Sequence, residues 1–352
     1  MNLSFITAVV CLAFLGVSFC NGQSLPPCFV SMGDWGSSDP NTAAIGKNIN
    51  DVAAHPSNYG CSSVEFVFAL GDNFYNSGVD SINDPMWNST FVAQFRSQSA
   101  LQNMTFYAMV GDHDYGCENP SLPPNHTRAQ AQVQYHYKVD SLWYLPSTNY
   151  TFKTSFGNGV TVLFVVLDMQ AVWTCLESPP EWCFLPDQTT WLDQILTQAD
   201  NDPTISAVAI TGHQSIVCPN GGHFDPKIDN LLVPLGRNHR VSLFLTGHAH
   251  YLAWSMESSL GSAFPGGEMW YIVNGAGRGA GAYQCLGYWP PGTGGDVALP
   301  VNTYCCTNVQ AQDGMFVIHR VHPSGFEHCA VDSTSGGGSV GPCQTTSFRS
   351  QT

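Results

Sequence analysis

The sequence predicts one large α/β domain, and three observations point to it. Short apolar runs of the kind that form strands buried on both faces recur along the chain. Stretches with helical apolar spacing separate several of them. Five of the runs end in glycine followed at once by an aspartate or histidine. The 352 residues exceed the usual single domain, yet one large α/β domain accommodates them. A hydrophobic content of 43% supplies a sizeable core.

Taken in order, Cys28 to Met32 is a short strand followed by Gly33-Asp34-Trp35-Gly36. Asn41 to His55 reads as a helix, with Ala44, Ile45, Ile49 and Val52 on one face. Val64 to Leu70 is a strand and runs into Gly71-Asp72-Asn73-Phe74-Tyr75. Trp87 to Leu101 is a weaker helix candidate. Phe106 to Val110 is a strand that precedes Gly111-Asp112-His113-Asp114, and 115–127 reads as a surface loop. Val160 to Leu167 is a strand ending at Asp168. After a loop over 174–186, Asp187 can cap a helix through Ala199. Ser206 to Thr211 leads to Gly212-His213, and Val241 to Thr246 leads to Gly247-His248-Ala249-His250. Met269 to Val273 is a strand entering a glycine-rich turn. Gly314 to Val331 alternates around Pro323-Ser324-Gly325 and reads as a hairpin. The Gly/Ser-rich tail, 334–352, reads as flexible.

Composition narrows the function classes. The net charge is -15, with only 11 Lys plus Arg. Non-specific nucleic-acid binding and docking on an anionic membrane need clustered positive charge, so both are disfavoured. Residues 1–22 contain no charged side chain, and Ile6 to Val17 is too short an apolar run to span a bilayer comfortably. This segment reads as a secretory signal peptide cleaved before Gln23. No other apolar run is long enough for a membrane helix. Of thirteen cysteines, eleven follow residue 22. In a secreted chain most pair as disulfides, and the odd number leaves one free thiol or an intermolecular bond. Cys175 and Cys183 bracket one loop and could pair locally. A zinc–thiolate site is the competing reading, which the absence of any C-x-x-C pair disfavours. Asn88, Asn103, Asn125 and Asn149 head glycosylation sequons.

The glycine-ligand repeats carry the chemistry. In an α/β sheet the loops at the carboxyl ends of strands gather at one edge, where ligand sites form. Asp34, Asp72, Asp112, His213, His248 and His250, with Tyr75, are therefore predicted to cluster. Any one of these stretches could equally be a strand ending in a polar turn; the recurrence is what points to a site. Asp72 has two oxygens and could bridge two ions, and a Tyr75 phenolate suits a trivalent ion. His248 and His250 would lie on one side of an extended segment, each able to reach a different ion. That is too many ligands for one tetrahedral metal and suits a two-metal hydrolytic site.

The motifs Asp34-x-Gly36, Gly71-Asp72-x-x-Tyr75, Gly111-x-His113-Asp114, Gly212-His213 and Gly247-His248-x-His250 resemble the signature of the metallophosphoesterases. The tyrosine makes the chain similar to the purple acid phosphatases, in their small, single-domain, tartrate-resistant (type 5) branch. The resemblance covers roughly residues 27–333. It implies a calcineurin-like metallophosphoesterase domain over 23–333, built as a sandwich of two mixed β-sheets flanked by helices. It implies Fe(III) held by Asp34, Asp72, Tyr75 and His250. A second, divalent ion (Fe, Zn or Mn) would be held by Asp72, Asp112, His213 and His248, with Asp72 bridging. One position departs: the family carries asparagine where this chain has Asp112.

The implied activity is a binuclear-metal acid phosphatase acting on small phosphomonoesters or phosphoproteins, secreted or lysosomal. A hydroxide made available by the two ions would attack phosphorus in line, and an imidazolium would protonate the leaving alkoxide. His113 and, by resemblance, His223 are the candidates. The alternative for His113 is an orienter of a ligand with Asp114 behind it; for His223, a plain surface histidine. Two other functions stay open: a metallophosphodiesterase on the same core, and a catalytically weak secreted glycoprotein with a structural or binding role. Nothing in the sequence fixes the oligomeric state.

Overall fold

A computed structural model describes residues 24–117, 123–177, 183, 188–216, 226–257, 269–278, 287–289, 303–306, 314–333 and 338–349. The signal segment, Asp187 and His223 lie outside them. Two mixed sheets form the body. The first contains β1 (Cys28–Met32), β2 (Val64–Ala69), β3 (Phe106–Ala108) and β4 (Trp143–Tyr144) as a parallel run. The second contains β5 (Tyr150–Ser155), β6 (Thr161–Val166), β7 (Ala207–Thr211), β8 (Val241–Thr246), β9 (Leu252–Glu257), β10 (Met269–Asn274), β11 (Gly287–Trp289) and β12 (Thr303–Cys306). Its order is β11-β12-β9-β10-β8-β7-β6-β5. The antiparallel strands β13 (Met315–His322), β14 (Gly325–Asp332) and β15 (Ser339–Thr345) complete the first sheet, in the order β15-β14-β13-β1-β2-β3-β4.

The period of two along each strand divides its side chains between layers. Val162, Phe164 and Val166 of β6 enter the core shared with Phe29, Phe66 and Phe68 of the first sheet. Leu163 and Val165 face the other way, toward the helices α3 (Gln188–Asp200) and α4 (Pro226–Asn238). Phe164 meets Phe29 and Phe66 with ring centroids 5.5 Å apart, so an aromatic layer joins the sheets. The helix α1 (Pro40–Ala54) buries Ile45, Ile49 and Val52, and its amino end is capped by Asp39, which accepts from Thr42 N at 3.0 Å. A π-helical stretch, Trp87–Arg96, packs Phe91 and Phe95 around Trp35 and Trp143.

The two-sheet sandwich expected from the resemblance is observed. So is the hairpin, with His322 opposite Gly325. Three details differ. The segment 334–352 was expected to be flexible, but Ser339–Thr345 pairs with β14, and Cys329 is joined to Cys343 directly across the pair. Beyond it, buried Arg349 donates to the carbonyls of Gly236 (2.8 Å) and His239 (3.0 Å) beside the second sheet. A strand's backbone bonds need few apolar side chains, so composition hid it. Second, residues 126–127 of the expected loop begin a helix, α2 (His126–Lys138). Third, the helix over Trp87–Leu101 stops at Arg96, whose guanidinium takes the carbonyls of Leu101 and Met104. Cys28–Cys61 and the anticipated Cys175–Cys183 are also disulfides, and Cys117 is a free thiol.

Candidate metal centre

The three motif loops of the first sheet follow neighbouring parallel strands, β1, β2 and β3; those of the second follow β7 and β8, also neighbours. All five strand ends open onto one edge of the sandwich, and the sequence-predicted side chains converge there. Asp112, His213 and His248 form one group of potential ligand atoms; Asp34, Asp72 and His250 form another; Asp72, Asp112 and His113 form a third. His213 Nε2 lies 3.1 Å from Asp112 Oδ1 and 3.3 Å from Asp72 Oδ1. His248 Nδ1 lies 3.0 Å from Asp112 Oδ1. On the other side, Tyr75 Oη lies 2.8 Å from Asp72 Oδ2, 3.2 Å from Asp34 Oδ1 and 3.1 Å from His250 Nε2. Asp72 thus turns one oxygen to each group, the geometry a bridging carboxylate needs.

Backbone conformation singles out the same residues. Among the described residues, three non-glycine residues have positive φ: Asp34 (59°), Asp72 (51°) and His248 (66°). Such a backbone is uncommon for a side chain-bearing residue and concentrates at functional sites. Glycine is needed beside them for space. A Cβ at Gly111 would fall on Asp72 Oδ1, and one at Gly71 on the His213 ring. His248 and His250 do reach different groups, but through this left-handed turn rather than the extended segment expected from their spacing.

Hydrogen bonds fix the imidazoles. Leu70 O accepts from His213 Nδ1 at 2.7 Å, which leaves Nε2 facing the carboxylates. His113 Nδ1 donates to Asn76 O at 2.5 Å, and its Nε2 lies 4.0 Å from both Asp72 Oδ2 and Asp112 Oδ2. Asp114 does not stand behind the His113 ring. It is fully buried and accepts from Gly111 N (2.8 Å), Asn73 N (3.1 Å) and Gln132 Nε2 (2.7 Å), tying the two aspartate loops to α2. Leu70 O, Asn76 O and Gln132 were not found from sequence; two are backbone atoms, and the third sits on a helix the sequence hid.

The charges fit a cation. Three carboxylates are crowded together in a buried site. Burial pushes the Tyr75 phenol up, and the Asp34 and Asp72 carboxylates push it further, well above its ordinary value, so ionising it needs a positive ion beside it. Burial lowers the His213 basicity, but Asp72 and Asp112 outweigh it and hold the imidazole well above its usual range. His113 is likewise raised, burial being outweighed by Asp72 and Asp112. Clustered carboxylates of this kind are a charge that divalent or trivalent ions can balance.

Two packed sheets with carboxylates, histidines and a tyrosine gathered at one edge make an arrangement able to hold metal ions. The chain is similar to the tartrate-resistant acid phosphatases of type 5. It is 29% identical to the rabbit (Oryctolagus cuniculus) protein, over 71% of this chain and 72% of that one. It is also 29% identical to the Homo sapiens protein, over 76% and 77%. Purple acid phosphatase 3 of Arabidopsis thaliana is 23% identical over 69% of this chain and 66% of its own. Among solved structures, GAP50, the anchor in the inner membrane complex of Plasmodium, matches with a TM-score of 0.66 at 16% identity, over 93% of this chain and 90% of that one. The purple acid phosphatase PPD1 of yellow lupin (Lupinus luteus) matches with a TM-score of 0.57 at 14% identity, over 92% of this chain and 54% of that one. These two show the fold. No family model matches the chain. The likeness to purple acid phosphatases drawn from the motifs thus stands on overall sequence similarity as well.

Proposed function

We propose that the protein is a binuclear-metal acid phosphatase hydrolysing phosphomonoesters. The observation that carries this is Asp72, whose two oxygens face two separate groups of potential metal ligands. Asp34, Asp72, Tyr75 and His250 would hold a ferric ion; Asp72, Asp112, His213 and His248 would hold a divalent one. When bound, the pair supplies charge for the phosphate oxygens and a nucleophile that survives in acid. The chain's own residues do the rest. Leu70 O keeps His213 Nε2 turned to the site, and His113 N donates to Asp72 Oδ1 at 3.1 Å, steadying the shared carboxylate. His113 is half-buried at the rim of the cluster, with Nδ1 engaged, so Nε2 is the atom that would hand a proton to the departing alkoxide. His223 is the second candidate for that task.

The N-terminal segment would direct the chain to the secretory route, where the disulfides Cys28–Cys61, Cys175–Cys183 and Cys329–Cys343 are stable. Asn88, Asn103 and Asn125 are exposed and Asn149 is half-buried, so the first three are the readier glycan acceptors. No helix among the described residues is long and apolar enough to cross a membrane. The test is phosphatase assay of purified protein alongside elemental analysis: two metals per chain and hydrolysis of an aryl phosphate support the reading, and inactivity with both metals bound removes it. A second reading, a binding role with little catalysis, is favoured by one observation. Asp112 adds a third carboxylate to the cluster, which would repel an incoming phosphate.

A further inference from the structure

We propose that Arg128, on the first turn of α2, is a positioning residue for His113; this rests on His113 being the proton donor proposed above. The Arg128 guanidinium holds the loop that orients the His113 ring. Its Nη1 donates to Ser77 O, and its Nε donates to Asp80 Oδ1 at 3.0 Å. Ser77 follows Asn76, whose carbonyl takes the proton of His113 Nδ1. The other side of the arrangement is closed as well. Asn125 caps α2 by accepting from Thr127 N at 3.1 Å, and its own N–H donates to Tyr115 O at 2.8 Å. Tyr115 lies two residues after His113. Helix, loop and histidine therefore form one ring of contacts, with Arg128 as the member that spans helix and loop.

Two further observations place the guanidinium in that span. Gly116 has a φ of 70°, and a Cβ there would meet Arg128 Nη1 at 2.8 Å, so the chain leaves room for the guanidinium to pass. The pair with Asp80 is exposed on the aspartate side, 77%, and contributes little by itself. The contact that matters is the one to Ser77 O. A planar fork engages two acceptors at once, which an ammonium cannot do in the same geometry. With the fork gone, the Asn76 carbonyl loses its fixed direction and the imidazole loses its anchor, while the two acceptors of the fork, Ser77 O and Asp80 Oδ1, lie outside the ligand sets proposed for the two ions.

The experiment uses the full-length purified protein with its native metals, with Arg128→Gln, His113→Ala and the double variant. Two substrates are compared. 4-Nitrophenyl phosphate has a leaving group that departs without a proton; glycerol 2-phosphate releases an alkoxide that needs one. Arg128→Gln is expected to keep its metal content and to lower kcat/KM on the alkyl ester about tenfold, with less than about a threefold change on the aryl ester. Added to His113→Ala it should have no further effect. Equal losses on both esters, or losses that multiply in the double variant, overturn the proposal. A readout independent of activity is carbethoxylation of His113 by diethyl pyrocarbonate, followed by mass spectrometry of the digested protein. Labelling should quicken several-fold in Arg128→Gln, and an unchanged rate overturns the positioning role. Labelling that quickens in Arg128→Gln while the wild type hydrolyses neither ester overturns the phosphatase reading, and with it the proton-donor role of His113, and leaves only the orientation of its ring by Arg128 standing.

Discussion

Asp112 presents Oδ1 to His248 Nδ1 at 3.0 Å, and the same oxygen lies 3.1 Å from His213 Nε2. An amide oxygen at this place would be neutral; the carboxylate would add a full negative charge to the position proposed for the divalent ion. Attraction for a bound cation would rise and its Lewis acidity fall, while an incoming phosphate would meet a like charge.

Asp112→Asn is therefore expected to release the divalent ion more readily in a chelator competition and to raise turnover on an aryl phosphate. Slower turnover with both metals retained would contradict this account of Asp112.

Tyr75 sits between Asp34, Asp72 and His250, within 3.2 Å of each. If its phenolate binds ferric iron, Tyr75→Phe should lose the visible absorption band of the protein. Iron content should fall less than the colour. A variant that keeps its colour would place the chromophore elsewhere.

A pH dependence of stability follows from a buried histidine pair far along the chain. His319 Nδ1 lies 2.7 Å from His328 Nδ1, and Ser31 Oγ lies 2.8 Å from His319 Nε2. Burial pushes His328 down to about 3, and burial with the neighbouring ring pushes His319 well below its usual range. A histidine with a lowered folded-state pKa contributes stability that is present above about 6.5 and is lost as pH falls below it, by about 1.4 kcal/mol per pH unit for each ring. Asp168, held up to about 6 by burial, works in the opposite sense. The discriminating quantity is therefore the difference between wild type and His328→Gln. Urea midpoints from pH 7 to pH 4.5 should fall less steeply in the variant, and parallel slopes would contradict the assignment.

The C-terminal strap gives a stability prediction. Arg349→Ala leaves the carbonyls of Gly236 and His239 without their buried donor. The expected loss is about 2–4 kcal/mol, read as a lower urea midpoint. An unchanged midpoint would mean that the segment after β15 does not hold the second sheet.

Much of the site was legible because its signal is local. A buried strand, a glycine and a candidate ligand occupy consecutive positions, and five copies of that arrangement mark one edge of the sandwich. What escaped is the support around it, which depends on contacts remote in sequence. Leu70 O and Asn76 O are backbone atoms with no sequence signature. Gln132 is fully buried in α2 to serve Asp114, so a polar residue interrupts the apolar face by which a helix is read. The same helix carries Arg128. The strand in the tail was hidden by glycine and serine, since its place is set by pairing with β14 and by Cys329–Cys343 rather than by apolar burial.

The central claim is that Asp72 joins two ion positions in a working phosphatase. Its most direct test is hydrolysis of 4-nitrophenyl phosphate from pH 4 to 8, measured with metal content, for wild type and Asp72→Ala. The account predicts two metals per chain and an acid optimum in the wild type, with fewer than two metals and loss of activity in the variant. Two metals bound in the wild type and no hydrolysis anywhere in that range would contradict it and favour a binding role for the fold.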